Sequence, residues 1–426
     1  MARITDMVGA LALIGACAQP APVAVPPVPV PTSTVPTTLP VLAANEVDGS
    51  AMKWEGSRGH YLGVALALGD LDGDGVDEIV SRRSTSAWED DSDYTTEAVM
   101  WWRGDATFGP LADVQQGEWL HDITFGPGPY GNLSNFGYLI VVGDITGDGR
   151  DDVMFGGAEL PARIYEDVPT GEIPLESATI DWGAAGGFDY GDLDGDGDMD
   201  LGGHQIYLGS DAAGPPDPYW WFFDAYGNGF GARALPGNFD QDSDVELLGW
   251  TPFSDAERYL GVLELPPGGG QVDYSAPLTS IGVYELQAVG DLDADGVDDA
   301  VLTANNLPTL VQRSGGPELL ASWTQPDGDN PTEVAVADVN LDGYDDLILA
   351  LAVPFRIAIY EGPLQSGELV EEMADRVTIL NWVWGQADVI AVGDVTGDGI
   401  PDVVVSDTNY RDYAGAVYLL PSGNLP

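Results

Sequence analysis

Residues 69–80 read GDLDGDGVDEIV, and this acidic turn decides how the chain is organised. Counted from Asp70, acids stand at positions 1, 3, 5 and 9, and a glycine stands at position 6. Similar turns begin at Asp70, Asp144, Asp192, Asn238, Asp291, Asp338 and Asp394. Self-similarity at a recurring spacing is the signature of a repeat protein. We therefore interpret the chain as seven copies of one structural unit.

Each turn lies between two short apolar runs that alternate in the manner of β-strands. The run TEVAVAD precedes the sixth turn, DLILAL follows it, and IAIYEG forms a third run. A fourth run carries an aromatic residue, as in LASWTQ, VDYSA and ILNWVWG. Four strands of five to six residues with their turns need about 45 to 50 residues, which matches the usual distance between turns. The sequence predicts an all-β fold, a seven-bladed β-propeller of four-stranded blades.

The two ends of the sequence predict how the ring closes. After the turn at Asp394, only the strand patterns VVVSD and GAVYLLP remain before Pro426. The missing aromatic strand lies at the other end, in AMKWEG at residues 51–56. We expect the N-terminal strand to complete the last blade, so that N- and C-terminal strands close the ring together. An open solenoid is the alternative architecture.

The acidic turns have the chemistry of calcium sites. Calcium binds six to eight oxygen atoms, and alternating residues of a tight turn can direct carboxylates to one point. Three or four carboxylates in one turn repel each other unless a cation neutralises them. The predicted ligands are the side chains at positions 1, 3, 5 and 9 and the backbone carbonyl at position 7. In chain order these residues are Asp70, Asp72, Asp74, Val76, Glu78; Asp144, Thr146, Asp148, Arg150, Asp152; Asp192, Asp194, Asp196, Asp198, Asp200; Asn238, Asp240, Asp242, Asp244, Glu246; Asp291, Asp293, Asp295, Val297, Asp299; Asp338, Asn340, Asp342, Tyr344, Asp346; Asp394, Thr396, Asp398, Ile400, Asp402.

Up to seven Ca²⁺ ions are expected, and the fourth loop departs from the rule. It begins with Asn238 and has Ser243 where the other loops have glycine, so we expect its site to be weak or empty. An ordinary Asp-Gly hairpin turn is the alternative for any single copy. An EF-hand is excluded, because it needs an acid at position 12, where the first two loops have Ser81 and Phe155.

The loops GDLDGDGVDEIV, GDITGDGRDDVMFGG and GDVTGDGIPDVVVSD resemble the FG-GAP and VCBS-type repeats of integrin α-subunit propellers and their bacterial relatives. The resemblance covers about residues 46–426 and is specific in the acidic loops. It implies that the loops support the ring, and that the opposite face or the loops between blades bind partners.

Composition limits the classes of partner. The chain has 426 residues, and its 70 acidic against 14 basic residues give a net charge of −56, which repels nucleic acid and anionic lipid headgroups. We therefore expect no nucleic-acid partner, and membrane attachment only through a lipid anchor. The chain is expected to be a monomer.

The N-terminal segment predicts export. Residues 1–17 resemble a bacterial lipoprotein signal ending at Cys17, the only cysteine, which would be lipidated. An ordinary signal peptide and a buried cysteine are the alternatives. A single cysteine allows no intramolecular disulfide and no cysteine-based zinc site. Residues 18–45 form a proline-rich linker, and residues 46–426 form the propeller. The predicted location is extracytoplasmic, at the bacterial outer membrane or cell surface, or otherwise secreted.

Candidate catalytic residues are not recognisable in the sequence. The three histidines, His60, His121 and His204, are far apart, and no nucleophile elbow or phosphate loop is present. We expect no enzyme, but a cell-surface adhesion or ligand-recognition module in which calcium is structural. Its protein or glycan ligand would bind a propeller face or an insertion at residues 81–135. The alternative is a secreted propeller enzyme, a polysaccharide or lipid hydrolase, with its active site on a rim.

Three smaller features keep two interpretations each. The insertion is also where propellers tolerate extra length. The tripeptide Arg103-Gly104-Asp105 is one that integrins recognise, but we interpret it as a chance occurrence. The pairs Trp101-Trp102 and Trp220-Trp221 could stack on sugars or pack inside a blade.

Overall fold

The fold is given by a computed structural model. It describes residues 52–55, 62–84, 97–102, 136–157, 160–166, 180–182, 188–193, 196–202, 205–209, 220–223, 233–239, 245–254, 257–263, 265, 270–273, 279–282, 284–304, 309–313, 319–323, 331–381, 385 and 387–422. Cys17, the signal segment, the proline-rich linker and the three histidines lie outside the described residues, and so does the tripeptide at 103–105.

The described strands form seven hydrogen-bonded sheets that follow one another along the chain. Sheet one contains β2 (Ala65–Gly69), β3 (Glu78–Ser84) and β4 (Glu97–Trp102). Sheet two contains β5 (Phe136–Gly143), β6 (Asp152–Gly157), β7 (Leu160–Tyr165) and β8 (Ile180–Trp182). Sheet three contains β9 (Phe188–Gly191), β10 (Asp200–Gly202), β11 (Gln205–Tyr207), β12 (Trp220–Phe223) and β16 (Gly270–Asp273).

The second half of the chain repeats this plan. Sheet four contains β13 (Arg233–Gly237), β14 (Glu246–Ser254), β15 (Glu257–Leu263) and β17 (Thr279–Gly282). Sheet five contains β18 (Glu285–Gly290), β19 (Asp299–Thr303), β20 (Thr309–Gln312), β21 (Leu319–Trp323) and β25 (Gly367–Leu369). Sheet six contains β22 (Pro331–Ala337), β23 (Asp346–Leu351), β24 (Phe355–Tyr360) and β26 (Arg376–Asn381). Sheet seven contains β27 (Val389–Gly393), β28 (Asp402–Asp407), β29 (Ala416–Leu420) and β1 (Met52–Glu55).

Four sheets have the four strands that the sequence predicts, and three differ. Strand β16 pairs parallel with β12, and β25 pairs parallel with β21, so sheets three and five each gain a fifth strand. Both extra strands lie in the connection between the third and fourth strands of the next sheet, and they cover an otherwise open edge. The prediction that the run VDYSA supplies a fourth strand is therefore wrong, because β17 takes that place. Sheet one has three strands among the described residues.

The expected insertion at residues 81–135 is wrong for its described part. Strands β3 and β4 are regular antiparallel partners, with Arg82 opposite Val99 and Ile79 opposite Trp102. Residues 97–102 are therefore the third strand of sheet one. Residues 85–96 and 103–135 lie outside the described part of the chain.

The core lies between neighbouring sheets. In β23, Leu347, Leu349 and Leu351 pack in a cluster shared with sheet five, whereas Ile348 and Ala350 pack in one shared with sheet seven. Because both faces of such a strand are covered, it reads as a continuous apolar run. Burial of each such leucine or isoleucine contributes roughly 1.5 to 3 kcal/mol.

The first strands of the sheets contact one another in cyclic order. Contacts join β2 to β5, β5 to β9, β9 to β13, β13 to β18, β18 to β22, β22 to β27, and β27 to β2. Strand β1 pairs antiparallel with β29, with Trp54 opposite Val417. Trp54 is buried in a cluster that joins sheets seven and one. The arrangement is an all-β propeller, and each acidic loop connects the first strand of a sheet to the second.

Helical structure is minor in the described residues, which contain one four-residue helix, Tyr410–Tyr413, and one 3₁₀ turn, Glu371–Met373. Among these residues, no helix has the length and apolar character needed to cross a membrane.

Candidate metal centres

The carboxylate at position 1 organises each acidic loop. In the first loop, Asp70 accepts the backbone N–H of Asp74 at Oδ1 (2.9 Å) and that of Gly75 at Oδ2 (2.8 Å). Asp74 then accepts the N–H of Val76 at 3.0 Å. The same three hydrogen bonds recur in the loops that begin at Asp144, Asp192, Asp291, Asp338 and Asp394. Positions 1 and 5 are therefore held in one conformation in six loops.

The loop turns through left-handed residues at positions 4 and 6. In the first loop these are Gly73 (φ 74°) and Gly75 (φ 89°). Position 4 keeps the left-handed conformation even without glycine, at Ala294 (φ 62°) and Leu341 (φ 57°). Non-glycine residues rarely adopt this region, and such strain concentrates at functional sites.

The acid at position 9 closes the loop from the second strand. Glu78 is 2% exposed and accepts the N–H of Leu71 at 2.8 Å. In the fourth loop, Glu246 accepts the N–H of Phe239 at 2.8 Å. The equivalent contact is present at Asp152, Asp200, Asp299 and Asp346, whereas Asp402 accepts the N–H of Thr396 at position 3 (2.8 Å). Each carboxylate oxygen retains lone pairs for a further ligand.

Two sets of carboxylates converge within the described part of the chain. In the first loop, one oxygen each of Asp70, Asp72 and Glu78 lie within 4.8 Å of one another. In the fifth loop, Asp291, Asp293 and Asp295 do the same. This spacing is compatible with one small hard cation that binds oxygen from several carboxylates at once.

The electrostatics of the fifth loop fit a cation. Asp299 is 2% exposed, and neither its Oδ2 atom nor Oδ1 of Asp293 has a hydrogen-bond partner although both are buried. Burial, followed by repulsion from Asp293 and the other loop acids, raises the pKa of Asp299 to about 8. A buried oxygen without a partner is unfavourable unless a donor or a cation meets it. The residues present therefore fit a calcium ion.

Other acids at position 9 also have raised pKa values. Burial raises the pKa of Asp152 and that of Asp346 to about 6, and it also raises the pKa of Asp402. In each case hydrogen bonds from the loop backbone oppose the shift, but they do not cancel it.

The seventh loop and its strands match a known repeat model. Residues 387–420 match the FG-GAP repeat. The chain therefore contains an FG-GAP repeat in this segment. The matched segment contains β27, the acidic loop that begins at Asp394, β28 and β29. An FG-GAP repeat on a propeller supports a general role in ligand binding or recognition.

Comparison with other proteins adds the following. Among curated proteins, none matches the chain. The crystal structure of BBS1N in complex with ARL6DN, soaked with lead, is 12% identical, with a TM-score of 0.47 over 85% of this chain and 93% of that chain. The complex soaked with mercury is 12% identical, with a TM-score of 0.46 over 84% and 90%. The C-terminal WD40 domain of Sif2 is 10% identical, with a TM-score of 0.38 over 84% and 97%. These values carry no information about ligand or activity.

The acidic loops are not identical. In the fifth loop, Arg313 forms an ion pair with Asp293, and its Nε atom donates to Oδ2 at 2.7 Å. The sequence analysis did not predict that the Arg313 guanidinium group would lie beside the proposed metal site. In the third and fourth loops, Asp194, Asp240, Asp242 and Asp244 lie outside the described residues. The carbonyl ligands at position 7 and the weakness of the fourth site stay predictions.

Sequence reasoning missed the aspartates at position 8 of four acidic loops: Asp77, Asp151, Asp298 and Asp345. They hydrogen-bond to the neighbouring loop rather than to their own. The available signal was the second acid beside the ninth-position ligand, as in GVDE and GRDD. The tryptophan pairs lie on β4 and β12, at strand positions.

Proposed function

We propose that this FG-GAP chain is a calcium-loaded recognition propeller. The observation that carries the proposal is the fifth loop, where three carboxylates converge and buried oxygens of Asp293 and Asp299 lack a hydrogen-bond partner. Calcium supplies several oxygen contacts at once and a charge that offsets the repulsion. The repeated hydrogen bonds of positions 1 and 5 extend the same loop form to five further copies.

We propose that the propeller has seven blades closed by its terminal strands. The cyclic contacts of the first strands and the pairing of β1 with β29 support this arrangement. A closed ring leaves no long open sheet edge. Only the outermost strand of each blade has unpaired backbone groups that must be protected from pairing with another chain.

The proposed role of calcium is structural. With a single cysteine, the chain has no intramolecular disulfide to stabilise the ring. Each ion that binds only the folded state adds about 2.7 kcal/mol when free calcium is one hundred times its Kd. Several loaded loops would therefore contribute a large part of the stability.

The proposed role of the propeller is adhesion or recognition of a protein or glycan at one of its faces. We propose an extracytoplasmic location with a lipid at Cys17, because extracellular calcium is high enough to fill weak sites. We also propose that the chain has no enzymatic activity of its own.

The calcium proposal is tested by calorimetric titration of the full chain with calcium and with magnesium. We expect several calcium ions per chain and weaker magnesium binding, because magnesium demands a small octahedral site. The variant Asp295→Ala should lose one ion. The matched variant Asp375→Ala changes an exposed aspartate outside the loops and should lose none. Uptake of no calcium by the unaltered chain would refute the proposal.

The recognition proposal is tested by incubating the calcium-loaded chain with a glycan array and with cell-envelope extracts. We expect saturable binding without turnover of the bound material, and loss of binding in chelator. Calcium-independent hydrolysis of an array sugar would instead favour the enzyme alternative.

A further inference from the structure

The four position-8 aspartates connect neighbouring loops, and we refer to Asp77, Asp151, Asp298 and Asp345 as the bridging aspartates. Asp151 belongs to the second loop, yet its Oδ2 atom accepts the backbone N–H of Asp70 in the first loop at 2.8 Å. Asp345 belongs to the sixth loop and accepts the N–H of Asp291 in the fifth loop at 2.9 Å. In both cases the donor is the position-1 residue of the preceding loop.

The other two bridging aspartates make the same contact. Asp298 of the fifth loop accepts the N–H of Asn238 at 2.8 Å, and its own N–H donates to the Asn238 carbonyl at 2.7 Å. Asp77 of the first loop accepts a hydrogen bond from the backbone of Asp394 and donates to its carbonyl at 2.9 Å. The last of these contacts joins the seventh loop to the first, across the ends of the chain.

The space for each bridging carboxylate is provided by a glycine. A Cβ atom at Gly290 would lie 2.6 Å from Oδ2 of Asp345, and one at Gly69 would lie 2.6 Å from Oδ2 of Asp151. Real Cβ atoms do not approach so closely. The same Cβ atoms would lie 2.4 Å from Cγ1 of Val336 and 2.3 Å from Cγ1 of Val142, so each glycine makes room for the acid and for the neighbouring strand together.

The sixth loop lacks both the bridging acid and the glycine. The loop that follows it has Pro401 at position 8, so no carboxylate is present there. The residue before the sixth loop is correspondingly Ala337 rather than glycine. The second and third loops also receive no bridging acid, since the loops that follow them have Met199 and Val245 at position 8, yet they keep Gly143 and Gly191. The glycine is therefore needed for the bridge but does not by itself mark one.

The bridging aspartates contact the position-1 residue, whose carboxylate organises the loop. The position-1 carboxylate accepts two loop N–H groups and is the first proposed calcium ligand, and the bridging aspartate fixes its backbone from outside. We propose that the bridging aspartates are positioning residues, each of which orients the first calcium ligand of the preceding loop. This inference rests on the proposed calcium function.

A consequence is that calcium sites are coupled in two groups around the ring. Bridging contacts join the seventh, first and second loops, and they join the fourth, fifth and sixth loops. The third loop has Met199 at position 8, which makes only a backbone contact with Asp144. The fourth loop has Val245 there, and the seventh has Pro401. The third loop therefore stands outside both groups.

The test uses Asp345→Ala and Asp345→Asn in the full chain, with calcium affinities measured by competition against a fluorescent chelator. Alanine removes the acceptor, so the fifth loop should bind calcium about tenfold more weakly. Asparagine keeps an acceptor oxygen and removes the charge, so its affinity should stay within about twofold of the unaltered chain. Equal losses in both variants would overturn the proposal, because charge would then explain the effect.

A double-mutant cycle identifies the loop that responds. The effect of Asp345→Ala should vanish when the fifth loop is disabled by Asp295→Ala, and it should persist when the sixth loop is disabled by Asp342→Ala. The reverse pattern would overturn the proposal, since Asp345 would then act only on its own loop. If the unaltered chain binds calcium but the fifth loop is unaffected, this inference fails alone. If the unaltered chain binds none, the proposed function fails as well.

A gain-of-function variant keeps the test decisive should Asp345→Ala fail to fold. The double change Ala337→Gly and Pro401→Asp introduces the missing bridge to the sixth loop. We expect calcium to bind there roughly fivefold more tightly, and the gain should disappear with Asp342→Ala. An unchanged affinity in a folded protein would overturn the proposal.

Discussion

Substitution of Asp299 by asparagine should shift stability in opposite directions with and without calcium. The carboxylate is 2% exposed, and the other acids of its loop repel it, so burial and repulsion raise its pKa to about 8. In chelator, asparagine removes the cost of burying this acid, which near pH 7 must take up a proton that the unfolded state has released. We expect a gain on the order of 1 to 2 kcal/mol, after allowance for screening by solvent.

In calcium, the same substitution replaces a proposed carboxylate ligand with a neutral amide oxygen, which binds calcium more weakly. If the fifth site is lost, the chain loses about 2.7 kcal/mol of stabilisation at calcium one hundred times Kd. An unfolding entropy of about 2.1 cal/mol/K per residue gives about 0.8 kcal/mol/K for a propeller of this size, so Tm should fall by about 3 °C. In chelator, Tm should rise by roughly 1 to 2 °C on the same scale.

The assay is differential scanning calorimetry of both proteins in excess calcium and in excess chelator. The matched control is Asp388→Asn, since burial also raises the pKa of Asp388 but its carboxylate binds Thr408 outside the acidic loops. That variant should shift Tm equally in both conditions. A shift of the same sign for Asp299→Asn in calcium and in chelator would refute the reasoning.

Three further predictions address the strand pairing, the loop backbone and the charge. Trp54→Ala should lower the free energy of unfolding by about 3 to 5 kcal/mol in urea titrations, because Trp54 is buried between sheets seven and one; a loss below about 1 kcal/mol would contradict its role there. Gly296→Ala should lower it by roughly 1 to 2 kcal/mol through backbone strain alone, since φ is 87° and nothing lies within 4 Å of the added methyl; an unchanged urea midpoint would show that the loop relaxes freely. In chelator, Tm should fall as pH rises from about 4 to about 8, because the raised pKa values of Asp152, Asp346 and Asp299 let the folded state keep protons that the unfolded state has released; calorimetry that finds Tm rising over this range would contradict those shifts.

The sequence was sufficient for features that depend on neighbours in the chain. The spacing of acids in a loop fixes which side chains can meet, so the convergence of Asp70, Asp72 and Glu78 follows from the motif itself. The same holds for the strands on either side, because DLILAL and similar runs have too few polar residues for an exposed strand. The pairing of β1 with β29 is the one long-range feature that the sequence predicted, because the last repeat lacked a strand and the N-terminal end had one to spare.

Features that depend on distant partners were not predictable in this way. Strands β16 and β25 pair with the sheet behind them, and only the exposed edge of that sheet selects them. Asp151 is 81 residues away from its partner Asp70, and Arg313 is 20 residues from Asp293. The sequence shows that an acid or an arginine is present, but only the packing of neighbouring sheets determines which loop its side chain contacts.

The most direct test of calcium-loaded acidic loops is thermal unfolding of the full chain, with metal content measured on the same samples before and after chelation. We predict several calcium ions per chain before chelation, none afterwards, and a large fall in Tm that added calcium reverses. An unchanged Tm after complete removal of the metal would contradict the account.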